Sequence, residues 1–146
     1  MVVLGALLVV AAVGATVVMT ALSNQPDTVA GLEVGECFTG DATDLQTVDC
    51  ADAHSGELFA LAPPTDPEGA FPGEDALRDQ AGSVCVMELV SYYGAPVETA
   101  LENGIEISPV TPSESQWDEG ETDTFCLAVS SEGGALGASI KGQGAG

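Results

Sequence analysis

Residues 74–94 read Glu74-Asp75-Ala76-Leu77-Arg78-Asp79-Gln80-Ala81-Gly82-Ser83-Val84-Cys85-Val86-Met87-Glu88-Leu89-Val90-Ser91-Tyr92-Tyr93-Gly94, and they decide the fold class. Leu77, Ala81, Val84, Cys85, Leu89 and Tyr92 follow one another at offsets of 4, 3, 1, 4 and 3, which is one face of a 3.6-residue period. Glu74 and Asp75 sit where the helix dipole favours anions, and Gly94 fits a left-handed C-terminal stop. The stretch predicts one amphipathic helix with Cys85 on its apolar face. Tyr92 is expected inside and Tyr93 outside.

On either side of this helix the period changes to two. Leu32 to Phe38 opens on apolar and polar residues in alternation and predicts a strand. Gly40-Asp41-Ala42-Thr43-Asp44 is turn chemistry, and Leu45 to Cys50 predicts the returning strand. Glu57 to Ala62 is a third strand stopped by Pro63-Pro64, and residues 63–73, with four prolines and two glycines, form an irregular loop. Ile105-Glu106-Ile107 predicts a strand ended by Pro109 and Pro112. Ser113 to Trp117 forms a helical turn with Ser113 and Gln116 as a capping box. Thr122 to Val129 predicts a strand carrying Cys126, and Ala138-Ser139-Ile140 a short last one after the Gly133-Gly134 turn. The expected architecture is α+β: a small antiparallel sheet packed with one main helix.

The N-terminus has a different character. Residues 2–22 contain no charged residue, and at about 1.5 Å per residue a helix of that length spans about 31 Å, close to a bilayer's hydrocarbon core. A transmembrane anchor over residues 1–22 is therefore expected, followed by a stalk over 23–31, a domain over 32–142 and a flexible tail over 143–146. A cleaved signal peptide is the competing reading, but it would have a basic n-region and a small-x-small site. With no cation before Val2 the positive-inside signal is weak, and an upstream start stays open. All 23 acidic residues and both cations, Arg78 and Lys141, lie beyond the apolar run, so 2 minus 23 gives the net charge of −21. Such a surface repels nucleic acid and anionic lipid headgroups and favours basic partners.

Cys37, Cys50, Cys85 and Cys126 are an even number in a chain expected to be exported. None has zinc-knuckle spacing, and His54 is the one histidine. Two disulfides are expected, and neither a metal site nor any other cofactor is. Four cysteines permit three connectivities; sequence-local pairing, Cys37–Cys50 and Cys85–Cys126, is preferred. The two loops, of about 14 and about 42 residues, would contribute up to ~3 and ~4 kcal/mol in the chain-entropy model.

Little in the chain points to catalysis. His54 lies between Asp52 and Ser55, but sequence neighbours seldom meet in triad geometry and no nucleophile elbow accompanies them. A structural imidazole bonded to backbone is expected, with partner contact as the alternative. Asp41, Asp44 and Asp49 do not form a calcium-loop motif. Trp117, the sole tryptophan, is expected as a core anchor rather than a ligand platform.

With these pieces placed, residues 32–142 resemble the septum-formation domain family of actinobacterial membrane and exported proteins. The matching motifs are Val34-Gly35-Glu36-Cys37-Phe38, Val48-Asp49-Cys50 with His54, Glu57-Leu58-Phe59-Ala60, and Pro72-Gly73-Glu74 leading into the helix with Cys85. Pro112 to Trp117 with Gly120, Cys126-Leu127 and Ser139-Ile140-Lys141-Gly142 complete the set. The run Cys50-Ala51-Asp52-Ala53-His54 departs from the family's usual Ser-Glu-Pro-His type, and Gly120-Glu121-Thr122 lacks the cation of the family's Gly-Asp-Arg-like turn. The resemblance implies one transmembrane segment, an extracytoplasmic domain and no established enzyme activity. The expected role is a non-enzymatic accessory or scaffold of the cell envelope that binds other membrane or envelope proteins. A ligand- or cation-binding module is the alternative, and an envelope hydrolase a lesser one.

Overall fold

The turn at Asp41 starts the sheet. The Asp41 carboxylate accepts from Thr43 N at 2.9 Å, Thr43 Oγ1 at 2.8 Å and Asp44 N at 3.1 Å, closing a tight turn. Those donors, Thr43's amide first, hold its carboxyl below the usual carboxylate range. The turn joins β1 (Cys37–Asp41) to β2 (Asp44–Val48). A computed structural model describes residues 28–146. The expected anchor over 1–22 and the first part of the stalk lie outside the described residues. Among the described residues no helix is long and apolar enough to cross a membrane.

Five antiparallel strands make one sheet in the order β2-β1-β3-β5-β4, with β3 at Gly56–Ala62, β4 at Ile105–Val110 and β5 at Thr124–Ser130. Helix α1 (Glu74–Tyr93) packs on β3, β4 and β5 and ends at Gly94, whose φ of 88° is the left-handed cap expected there. Leu77, Ala81, Cys85 and Leu89 are buried along the predicted face. The two disulfides join Cys37 to Cys50 and Cys85 to Cys126, the sequence-local pairing. The first closes the open end of the β1–β2 hairpin; the second ties the centre of α1 to β5.

A β-bulge gives β3 its two-sided burial. Leu58 opposes Leu127 and Ala60 opposes Cys126, so Phe59 is the extra residue. Phe59, Ala60 and Ala62 join the α1-side core, whereas Leu58 joins a second core with Val29, Leu32, Phe38, Leu45 and Leu127. That second core contains no α1 residue. The chain at Val29–Leu32 covers it, and a 3-10 turn over Val29–Gly31 positions Val29. The expected stalk is therefore packed at its C-terminal end. Gly56 faces the Phe38 ring so closely that a Cβ there would meet Cζ at 2.7 Å, so any larger residue would force the buried ring to shift.

Several expectations are corrected. The first strand begins at Cys37 rather than Leu32, because Gly35 turns the chain at φ 98° and its amide donates to Leu58 O. The second strand ends at Val48, where Asp49 starts its own turn by accepting from Ala51 N. Pro109 lies inside β4 rather than ending it; β4 is an edge strand, where a missing N–H can face away from the ladder. Tyr93 is the buried tyrosine at 2% exposure and Tyr92 is half-buried, the reverse of the expected order. A second helix, α2 (Val97–Glu102), is too short to show a period. The capping box holds, opening α3 (Glu114–Asp118) with Ser113 and Gln116 exchanging bonds. Residues 138–140 form no strand, and the supposed tail carries a 3-10 turn, Gln143–Ala145, against the end of α1.

Replacing both members of a disulfide by Ala tests how far each staple carries the fold. Loss of Cys85–Cys126 should cost about 1 kcal/mol more than loss of Cys37–Cys50, from the ratio of the loops closed. Urea unfolding of the two double variants checks this, and an equal or reversed order would show that native packing rather than loop closure sets the stability.

Candidate functional site

The charged residue placed deepest is Glu57, at the start of β3 between Cys37 of β1 and Ala128 of β5. It is fully buried, 0% exposed. A carboxylate removed from water is costly unless its oxygens are bonded. Oε1 accepts from the Tyr92 hydroxyl at 2.5 Å and from Ser139 Oγ at 2.8 Å; Oε2 accepts from the Ile140 amide at 2.8 Å. Among the described residues no cation pairs with it. The one salt bridge among the described residues is the exposed Arg78–Asp75.

These bonds explain why residues 138–140 are not a strand. The Ile140 amide bonds a side chain rather than a neighbouring backbone, and Ile140 itself is buried in the α1-side core. Gly142 N donates to Tyr92 O at 2.9 Å, so the closing segment, residues 136–142, is fastened to both β3 and the end of α1. Burial first, then the bond to Glu57 and its charge, pushes the Tyr92 phenol well above its ordinary value of 10.0.

His54 stands beside this latch, 1% exposed. Its backbone exchanges two hydrogen bonds with Leu136, His54 N to Leu136 O at 3.0 Å and Leu136 N to His54 O at 2.8 Å. Its Nδ1 lies 2.8 Å from the Asp52 carbonyl. A carbonyl only accepts, so Nδ1 donates its proton there, and in the neutral ring Nε2 presents a lone pair. Among the described residues Nε2 finds no hydrogen-bond partner. Leaving a buried acceptor unmet costs about 1–3 kcal/mol. One ligand atom each from Cys37, His54 and Glu57 lie within 4.8 Å of one another.

The structure therefore brings together Cys37, His54 and Glu57. Trp117 serves elsewhere: it is buried on α3, donates its indole N–H to Gly69 O at 2.9 Å and meets the Phe71 ring edge-on at 5.9 Å, pinning the proline-rich loop. Glu57 did not stand out in the sequence as a site residue. The available signal was a carboxylate directly before the apolar run Leu58-Phe59-Ala60-Leu61, three residues after the one histidine. Tyr92 and Ser139 carried no comparable signal.

Two surface grooves flank the sheet. One of about 480 Å³ is lined in part by Glu102, Asn103, Glu132, Leu136, Ile140 and Gln143. The other, about 230 Å³, lies among Leu32, Leu61, Phe125, Glu121 and Asp123. Neither holds a nucleophile paired with a base.

Fold and latch together define a small α+β domain, stapled by two disulfides, whose buried carboxylate binds its own chain. The chain belongs to the septum-formation family: the family model described as Septum formation matches residues 6–144. No curated protein and no solved structure matches it.

The Tyr92 phenol yields a pH test. The native state keeps that proton above pH 10, where the unfolded chain loses it, so the unfolded state binds fewer protons. This contribution is complete below the unfolded pKa of 10.0 and is lost as pH rises beyond it. Thermal unfolding should show a fall in Tm starting near pH 10 that Tyr92→Phe makes shallower. An identical alkaline slope in the variant would refute the assignment.

Proposed function

We propose that this protein is a non-enzymatic, membrane-anchored accessory protein of the actinobacterial cell envelope, acting in septum formation by binding other envelope proteins. Residues 2–22 hold it in the membrane, and the domain faces outward. Membership of the septum-formation family supports the process. The observation that carries the non-enzymatic reading is Glu57. The one deeply buried carboxylate among the described residues faces Tyr92, Ser139 and Ile140 of its own chain, and at 0% exposure it meets no substrate.

The outer face of α1 supports binding rather than turnover. Val86, Met87 and Val90 are exposed on it, Met87 at 62%, within a domain otherwise dominated by acidic side chains. Exposed apolar residues grouped on one helix face are a common mark of a protein contact. The acidic groove with Glu102 and Glu132 favours a second reading, a module that takes up a cation or a basic side chain.

The two classes of function separate in one pair of measurements. A fluorescent fusion of the full chain should concentrate at division sites, and the purified chain in mild detergent should release no soluble fragments from cell-wall peptidoglycan. Fragment release by the purified chain, absent from a mock purification, would establish a hydrolase and overturn the accessory reading, as would a fusion spread evenly along the envelope.

A further inference from the structure

We propose that Cys37, His54 and Glu57 form, together with Cys50, a redox-gated zinc site: closed while the Cys37–Cys50 disulfide is intact, and able to hold one Zn²⁺ when it is reduced. The carrying observation is the His54 ring. A metal-ligating histidine almost always donates its other ring N–H to a carbonyl or carboxylate, which fixes the tautomer and aims the free nitrogen. His54 has that arrangement, with Nδ1 on the Asp52 carbonyl at 2.8 Å and Nε2 buried and unpartnered among the described residues.

The other donors match in type. Sulfur, imidazole nitrogen and carboxylate oxygen are the ligands zinc takes in tetrahedral sites. Glu57 is oriented by bonds from Tyr92, Ser139 and Ile140, as a ligating carboxylate is by its outer partners. Cys37, His54 and Glu57 each place a ligand atom within 4.8 Å of the others. Around zinc, with bonds of about 2.0–2.3 Å, ligand atoms stand about 3.3–3.8 Å apart, so closure needs a movement of about 1 Å. Breaking the bond to Cys50 frees the Cys37 side chain to make it.

Burial decides which bridge opens first. Cys85 and Cys126 are 0% exposed, whereas Cys50 is half-buried and within reach of a thiolate. A dithiol reductant attacks the bridge, supplies two electrons and two protons, and leaves as its own disulfide, while Cys37 and Cys50 become thiols. Those thiols release two protons to solvent as they bind Zn²⁺, whose oxidation state does not change. Reoxidation by a disulfide oxidant withdraws two electrons and expels the ion.

The test uses the full chain in mild detergent, with Co²⁺ as the spectroscopic probe and Zn²⁺ in competition. A phosphine reductant is applied until alkylation mapping labels Cys37 and Cys50 but neither Cys85 nor Cys126. The reduced chain should take up one Co²⁺ with a thiolate-to-cobalt charge-transfer band and the strong visible bands of tetrahedral coordination, and Zn²⁺ should abolish both. The oxidised chain measures what the acidic surface takes up alone, and should show neither band. Cys50→Ser should bind Co²⁺ with no reductant present, so the test stands even if the bridge resists reduction. In the Cys50→Ser background, with folding verified by circular dichroism, His54→Gln should weaken binding by at least about 100-fold, the upper end of what loss of an outer partner produces. Absence of the charge-transfer band from Cys50→Ser, or its survival at unchanged affinity in His54→Gln, would overturn the proposal.

Discussion

A carboxylate with no counter-ion among the described residues fastens the end of the helix and the closing segment to the sheet. Glu57 sits at the junction of three strands, and its two oxygens are met by a phenol, a serine hydroxyl and a main-chain amide. Ionised acceptors form stronger hydrogen bonds than neutral ones, and those bonds strengthen further in a low-dielectric interior. The three donors come from α1 and from the closing segment. One side chain thus decides how the helix end and the last part of the chain meet the sheet.

The rest of the molecule shows why such an anchor matters. With 23 acidic residues against two cations, the surface repels itself, and self-repulsion of this kind opposes compaction. The exposed Arg78–Asp75 pair offers little against it, typically 0–1 kcal/mol for a surface bridge. Cohesion instead comes from two apolar cores on opposite faces of the sheet and from two disulfides that each join different elements. The bulge at Phe59 makes both cores possible, since it lets β3 supply Leu58 to one and Phe59, Ala60 and Ala62 to the other.

How far the sequence reveals this depends on whether a feature is local. The α1 period, its Gly94 cap, the Ser113–Gln116 box and the turn between β1 and β2 are set within a few residues, and each is found close to where its pattern points. The closing segment behaves differently. Ala138-Ser139-Ile140 has strand-like composition, but its amide partner lies 83 residues away on a side chain, and no local pattern encodes that. The exchange of Tyr92 and Tyr93 has the same origin: Tyr92 turns to reach Glu57, and Tyr93 fills the core while accepting from Asn103 Nδ2. Glu57 itself read as an ordinary residue of a strand because alternation predicts one wet face. Helix α1 and the closing segment cover that face completely.

Native-state hydrogen exchange at the Ile140 amide reads out whether Glu57 serves the chain's own architecture by fastening its closing segment. That amide should be protected as well as the β3 and β5 core amides, with protection lost selectively across residues 136–142 in Glu57→Gln while the sheet stays protected. Rapid exchange at Ile140 in the unaltered chain, at the rate of an exposed loop, would contradict it.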